Sequence, residues 1–289
     1  MIAAPAVFEA IGTTWRIDLP GLASRQTERL ITRVRERIAL FDVYYSRFRA
    51  DSLVSRMSRE AGTYELPTDA GPLFSFYREL YEATGGAMTP LIGGTLVEAG
   101  YDAAYSLAPK TLHAPPAWDD VMEVGADRIV MRRPALLDFG AAGKGYLIDL
   151  VGELLRDAGL REFGINAGGD ILHESRGETR IRIGLEDPDD AERVIGVYEL
   201  GNGSICASAG NRRAWAGYHH ILDPRTLRSP GHLRGVWTTA RTAMLADGMS
   251  TCLFLVTPDR LAQFDFAYLL MHEDRSVTRS PSCNAHLFT

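Results

Sequence analysis

Lys144 stands inside the run LDFGAAGKGYLIDLVGELLRDAGLREFGINAGGDI, residues 137–171, where a loop of small residues opens an amphipathic stretch and a second glycine turn follows. A Gly- and Ala-rich loop lets a ligand come close to the backbone, and a helix start presents unpaired N–H groups to negative charge. Lys144 adds a full positive charge at that point. The block therefore points to an anionic ligand, phosphate above all; the competing reading is a turn that only lets helix and strand pack. Neither nucleotide fingerprint fits. A P-loop needs a glycine where Asp138 stands and a Ser or Thr where Gly145 stands, and the order of Gly140, Gly143 and Gly145 is wrong for a dinucleotide-binding turn.

LADGMSTCLFL, further along, sets Asp247, Ser250 and Thr251 three and four positions apart, so on a helix their oxygens share one face. A hard cation suits such a set, Mg²⁺ being held by one or two carboxylates together with phosphate oxygens and water. The plainer reading is a helix cap with hydroxyls bonded back to the preceding turn. A third group is GYHHILDPRT, residues 217–226, in which Asp223 and Pro224 begin a turn that Thr226 can close. Of the two histidines, one beside an anion site can take up a proton near neutral pH. Adjacent positions on a strand face opposite ways, so they do not make a joint metal pair.

The elements that must position these residues are legible from periodicity. Residues 8–19 read as a strand, and 25–41 carry Leu30, Val34, Ile38 and Phe41 at helical spacing. Leu73, Phe76, Tyr77 and Leu80 define a second helix ended by Gly85 and Gly86. Pro109, Pro115 and Pro116 mark loops before short strands at Val121–Val124 and Arg128–Met131. The central helix shows a stripe from Leu147 to Ala158 with Gly159 as its stop. Strands are predicted at Glu162–Asn166, Arg180–Leu185, Val194–Leu200, Ser204–Ala207 and Val236–Ala240, and a helix at Met244–Val256. Strands in mixed spacing with interspersed helices imply an α+β architecture. No repeat or long linker interrupts the chain, so one folded unit over 1–289 is expected.

With 289 residues, 46% hydrophobic and 24% charged, the chain is long enough for a large core or two packed lobes. A net charge of −6 argues against a broad nucleic-acid surface while permitting a local basic pocket. Cys206, Cys252 and Cys283 are odd in number and widely spaced, suggesting neither a disulfide framework nor a zinc site. MIAAPAVFEAIG makes a poor secretory signal, and no apolar run is long enough to span a bilayer. A cytoplasmic location is expected, or a periplasmic one if a leader has been removed.

Taken in order, AIGTTWRI, FDVYYSRFRADSLVSRMS, TGGAMTPLIG, LLDFGAAGKGYLIDLV, FGINAGGDI, RIGLEDP, YHHILDPRT and ADGMSTCLFLV resemble the FAD:protein FMN transferase family, the ApbE-type flavin transferases, over nearly the whole length. The resemblance implies mixed sheets with flanking helices in two packed lobes, the flavin site between them. It implies Mg²⁺-dependent cleavage of FAD and attachment of the FMN half to a Thr or Ser hydroxyl of an acceptor protein, with release of AMP. FAD cleavage to FMN and AMP by water, or FAD binding without catalysis, are the alternatives.

By position, the resemblance makes Asp138 and Lys144 contacts to FAD, and Ala141 the source of a backbone carbonyl for Mg²⁺. Asp247, Ser250 and Thr251 complete the metal site, and His220 is the base and a flavin-site residue. Ile11, Phe48 and the segment Ala87, Met88 and Thr89 fall along the flavin. Several residues depart from the family pattern. Ile11 replaces a common methionine, Thr89 an Asp, Ser208-Ala209-Gly210 a Thr-Ser-Gly run, and Leu227 the glycine after the DPRT turn. The acceptor segment of such systems, Asp-x-x-Gly-Ala-Ser/Thr, is not found in this chain, so flavinylation of the protein itself is not expected.

Overall fold

Alternating inward residues and glycine turns build the antiparallel sheets of this molecule, and amphipathic helices cover one face of the largest. The computed structural model describes residues 4–288 other than Glu178 and Arg212, so the first three residues of the stretch weighed as a leader lie outside it. The order is β1 (Ala6–Ala10), β2 (Thr13–Asp18), α1 (Ser24–Tyr45), α2 (Leu53–Met57), β3 (Gly62–Glu65), α3 (Ala70–Ala83) and α4 (Gly93–Glu98). Then come α5 (Trp118–Val121), β4 (Met122–Val124), β5 (Arg128–Met131), α6 (Gly143–Asp157), β6 (Phe163–Ala167), β7 (Asp170–Glu174), β8 (Ile181–Asp187) and β9 (Asp190–Leu200). The rest is β10 (Gly203–Ala209), β11 (Ala214–Trp215), β12 (Tyr218–His219), β13 (Leu233–Ala240), α7 (Ala243–Cys252), β14 (Phe266–His272), β15 (Val277–Arg279) and β16 (His286–Leu287).

An eight-stranded sheet, in the order β1-β2-β6-β7-β10-β13-β14-β15, is antiparallel throughout. Its two faces serve different cores. Cys206, Val236 and Leu270 join the main core beneath α1, α3, α6 and α7, while Ile205, Trp237 and Leu269 turn to the other side. That is the period of two expected of a strand. There they meet Leu185 and Leu200 of a three-stranded sheet ordered β16-β9-β8. A small sheet ordered β3-β5-β4 and a third cluster around Tyr101, Trp215 and Leu222 complete the packing. No described helix is long and apolar enough to cross a membrane. Cys206, Cys252 and Cys283 are buried free thiols.

Two predicted elements change form. The strand expected over 8–19 is a hairpin, because Ile11 and Gly12 both take positive φ (44° and 72°), the conformation a tight two-residue turn requires. The helix expected to reach Val256 stops at Cys252: the N–H groups of Phe254 and Leu255 bond to Thr251 and Cys252 in tight turns instead. α6 ends where its glycine predicts. Gly159 (φ 86°) bonds back to Arg156 and Leu160 back to Leu155, a closure that satisfies the last carbonyls.

Candidate active site

The α6 start and α7 are fused by a residue with no side chain. A Cβ on Gly145 would run into the Ala243 carbonyl and lie 2.7 Å from Asp247 Cβ, so only glycine allows this approach. The contact is used twice. Gly145 N–H donates to Asp247 Oδ2 at 2.8 Å. Further along α6, the two Asp149 oxygens accept from the N–H groups of Ala243 and Met244, both at 2.8 Å, capping α7 across the interface. Burial pushes the Asp149 carboxyl up to about 6. Asp149 lies on the polar side of the helical pattern and nothing in its spacing announces this role.

A cavity of about 290 Å³ opens over this crossing. Asp138, Ala141 and Lys144 line it from the loop before α6, and Asp247 and Thr251 from α7. Ile11 contributes from the β1–β2 turn, Phe48 from the loop after α1, and Ala87, Met88 and Thr89 from the segment before α4. His220 closes it from the loop after β12. The structure thus brings together every residue expected at the site except Ser250. That hydroxyl is fully buried, donating to the Asp247 carbonyl at 2.8 Å and meeting Ser208 Oγ at 2.8 Å, so it braces α7 against β10 behind the cavity. Thr89 also spends its hydroxyl on structure, accepting from Leu91 N–H at 3.2 Å.

The anion-attracting loop differs from its sequence reading. Gly143 N–H goes to the Phe139 carbonyl and Gly145 N–H to Asp247, so these two donors hold protein groups. The positive charge comes from Lys144, whose ammonium pairs with Asp170, a buried carboxylate that also accepts from Ala207 N–H at 3.2 Å. Asp170 closes the second glycine turn of the block, so the two ends of that stretch meet in one ion pair.

Asp247 is almost fully buried, and burial raises its carboxyl against the opposing pull of Lys144 and of Gly145 N–H. A buried carboxylate with so little compensation is stabilised by a cation. Thr251 Oγ1 lies 3.5 Å from the Ala141 carbonyl, one helical turn from Asp247. Among the described residues no three His, Cys, Asp or Glu cluster to bind a metal unaided. One carboxylate, one hydroxyl and one carbonyl are nevertheless the hard, incomplete oxygen set that fits Mg²⁺ when phosphate and water supply the remaining ligands.

Arg47 escaped sequence reasoning. Its buried guanidinium pairs with Asp138, donates to the Tyr101 carbonyl at 2.6 Å, and lies over the rings of Phe48 and Tyr101 at 4.2 and 4.6 Å. Asp138 Oδ1 in turn accepts from Gly140 N–H at 2.7 Å, fixing the loop. The partners are 91 residues apart, which leaves no local signal.

The two histidines separate cleanly. His219 is structural: one ring nitrogen meets the Pro230 carbonyl at 2.9 Å and the other accepts from Ile221 N–H at 3.2 Å. His220 faces the cavity, and its buried Nδ1 has no hydrogen-bond partner among the described residues. Burial first, then Arg213, His219 and Lys144, lower its pKa to about 3, so the ring is neutral and able to accept a proton. The turn beyond it is closed by Asp223 rather than by the Thr226 hydroxyl: Asp223 accepts from Arg225 at 2.9 Å and, through its carbonyl, from Leu227 N–H at 2.8 Å. Leu227 sits at φ 56°, which explains why a glycine suits that place.

The architecture is that of the solved flavin transferase ApbE structures. It matches ApbE from Vibrio cholerae with a TM-score of 0.76 at 20% identity, covering 96% of each chain. It matches the ApbE protein from Thermotoga maritima MSB8 with a TM-score of 0.80 at 21% identity, covering 96% of this chain and 97% of that one. The chain belongs to the ApbE family, whose sequence model matches residues 11–266. Among its relatives is the FAD:protein FMN transferase of Klebsiella pneumoniae (strain 342), 24% identical, the match covering 88% of this chain and 79% of the relative. That of Haemophilus influenzae (strain ATCC 51907 / DSM 11121 / KW20 / Rd) is 24% identical, with 95% and 88% covered.

Proposed function

We propose that this protein transfers the FMN moiety of FAD to a Thr or Ser hydroxyl of an acceptor protein, releasing AMP. The observation that carries the reading is the convergence on one cavity of a lysine, an incomplete oxygen set for a hard cation and an unpartnered neutral histidine. Family membership and relatives bearing the transferase name support it.

Lys144, held in place by Asp170, would offset charge on the pyrophosphate. Asp247, Thr251 and the Ala141 carbonyl would hold Mg²⁺, which when bound supplies charge neutralisation along the bond being broken. His220 takes the hydroxyl proton as the acceptor oxygen attacks the FMN phosphorus. The P–O bond to AMP breaks and AMP leaves with the bonding pair. Burial is the main cause of the low value; the negative pyrophosphate would oppose the smaller influences of Arg213 and Lys144 and so raise the proton affinity of the imidazole. Ile11, Phe48, Ala87 and Met88 supply the apolar wall for the flavin ring.

Incubation with FAD, Mg²⁺ and a peptide carrying an Asp-x-x-Gly-Ala-Thr segment, read by mass spectrometry, tests this. An FMN-sized mass gain on the peptide with AMP released is expected. Free FMN without peptide modification would replace transfer by hydrolysis, and unchanged FAD would make the protein a binding module.

A further inference from the structure

A second cavity of about 240 Å³ lies against the first, and Gly168, Ala207, Ser208 and Ala209 line both. Its far wall is β8 over Ile183–Glu186, and Ile171, Ile205 and Trp237 form an apolar floor. It occupies the seam where the β16-β9-β8 sheet meets the large sheet.

Strand pairing is incomplete at this seam. β7 pairs with β10 only over Gly203–Ile205, because the turn at Gly168 and Gly169 (φ 63° and 99°) ends that partner. β10 continues to Ala209, held on its other side by β13. Ala207 N–H points to the side β7 has vacated, where it reaches Asp170. Backbone groups of alternate residues in a strand point the same way, so the N–H and C=O of Ala209 face that side too, where the β7 ladder has already ended. With the Ala207 N–H taken by Asp170, the Ala207 C=O and the N–H and C=O of Ala209 are the edge groups to which an extended peptide can add.

We propose that the acceptor segment docks here in extended form, along Ala207–Ala209 between β10 and β8, with its hydroxyl side chain passing over the shared wall to the phosphorus. The proposal rests on the flavin-transfer reading. Among the described residues no Lys, Arg or His lines the second cavity, and Glu186 does, so it does not suit a pyrophosphate. Gly168, Gly169, Gly184, Ala207 and Ala209 leave the backbone of a guest close to the backbone of the host. The slot therefore selects a segment with small residues beside the hydroxyl, and leaves the first cavity to FAD.

Ile183 lines only the second cavity and is half-buried, so Ile183→Arg blocks the slot without touching FAD contacts. With the Asp-x-x-Gly-Ala-Thr peptide, the KM for peptide is expected to rise tenfold or more, FAD binding followed by flavin fluorescence staying at the wild-type value and Ile183→Val behaving as wild type. A wild-type peptide KM in Ile183→Arg overturns the docking site while leaving the transferase reading intact; absence of FMN transfer by the wild type overturns both. A peptide with a photoreactive residue next to its Thr gives a second readout on the unmodified protein. Cross-links to β8 or to Ala207–Ala209 are expected, and cross-links confined to other surfaces overturn the site.

Discussion

Asp247 accepts the N–H of Gly145 at 2.8 Å, so the carboxylate proposed to hold the cation is bonded to the helix turn that carries Lys144. The carboxylate is thereby held against the backbone of α6, while the Lys144 ammonium is held by its ion pair with Asp170. Geometry held this way changes little when substrate arrives, which is the condition for electrostatic stabilisation of a phosphoryl transfer.

Gly145→Ala tests that fusion. The added methyl meets the Ala243 carbonyl and Asp247 Cβ, so α6 and α7 must separate. We expect a loss of about 1–3 kcal/mol in denaturant unfolding, as for other over-packed contacts. Flavin transfer should fall more steeply than stability, since Asp247 moves with the helix.

Asp247→Asn keeps an oxygen for Gly145 N–H and removes the charge. Transfer should drop by about 10²–10³-fold at saturating FAD. Unfolding free energy should stay level or rise, because a neutral amide is easier to bury than a carboxylate. A variant that is inactive and equally destabilised would mark Asp247 as structural only.

His220 makes stability depend on acid. Its pKa is about 3 in the folded protein against 6.5 for the free side chain, so below 6.5 the unfolded chain takes up a proton that the folded one refuses. The stabilisation is present above pH 6.5 and is lost as pH falls towards 3. His220→Gln should flatten the decline of unfolding free energy across that window and reduce transfer by about 10²–10⁴-fold.

Leu227 and Ile11 hold left-handed backbone at φ 56° and 44°, a conformation that disfavours side chains branched or bulky at Cβ. Leu227→Gly should raise stability by about 1 kcal/mol without altering FAD binding. Ile11→Gly relieves the same strain but also removes a side chain packed against the main core and lining the cavity, so stability should not rise and FAD binding should weaken. Calorimetry and flavin fluorescence separate the two effects.

The amphipathic helices and glycine stops were readable because each is set by neighbours three or four residues away, as in α6 from Leu147 to Gly159. The GAAGKG loop and α7 were legible as places lining one cavity because residue type and local spacing coincide, whereas His220 was distinguished from His219 only through the family resemblance. What escaped depends on distant partners. Arg47 acquires its role from Asp138, Asp149 from the start of α7, and Asp170 from Lys144. Ser250 shows the converse: helical spacing placed it on the same turn as Asp247 and Thr251, yet its buried hydroxyl is taken up by the Asp247 carbonyl and by Ser208 and does not line the cavity. The strand read over residues 8–19 concealed a hairpin because Ile11 is a residue that turns of that kind normally avoid.

Ala141 and Thr251, whose oxygens flank the proposed cation position, are separated by 110 residues of chain. During synthesis the loop that carries Lys144 emerges long before α7 does. A nascent or truncated chain ending short of Asp247 has the lysine but lacks the carboxylate and hydroxyl opposite it. Such a fragment has only half of the proposed cation site, so bond cleavage waits for nearly the whole polypeptide to be made.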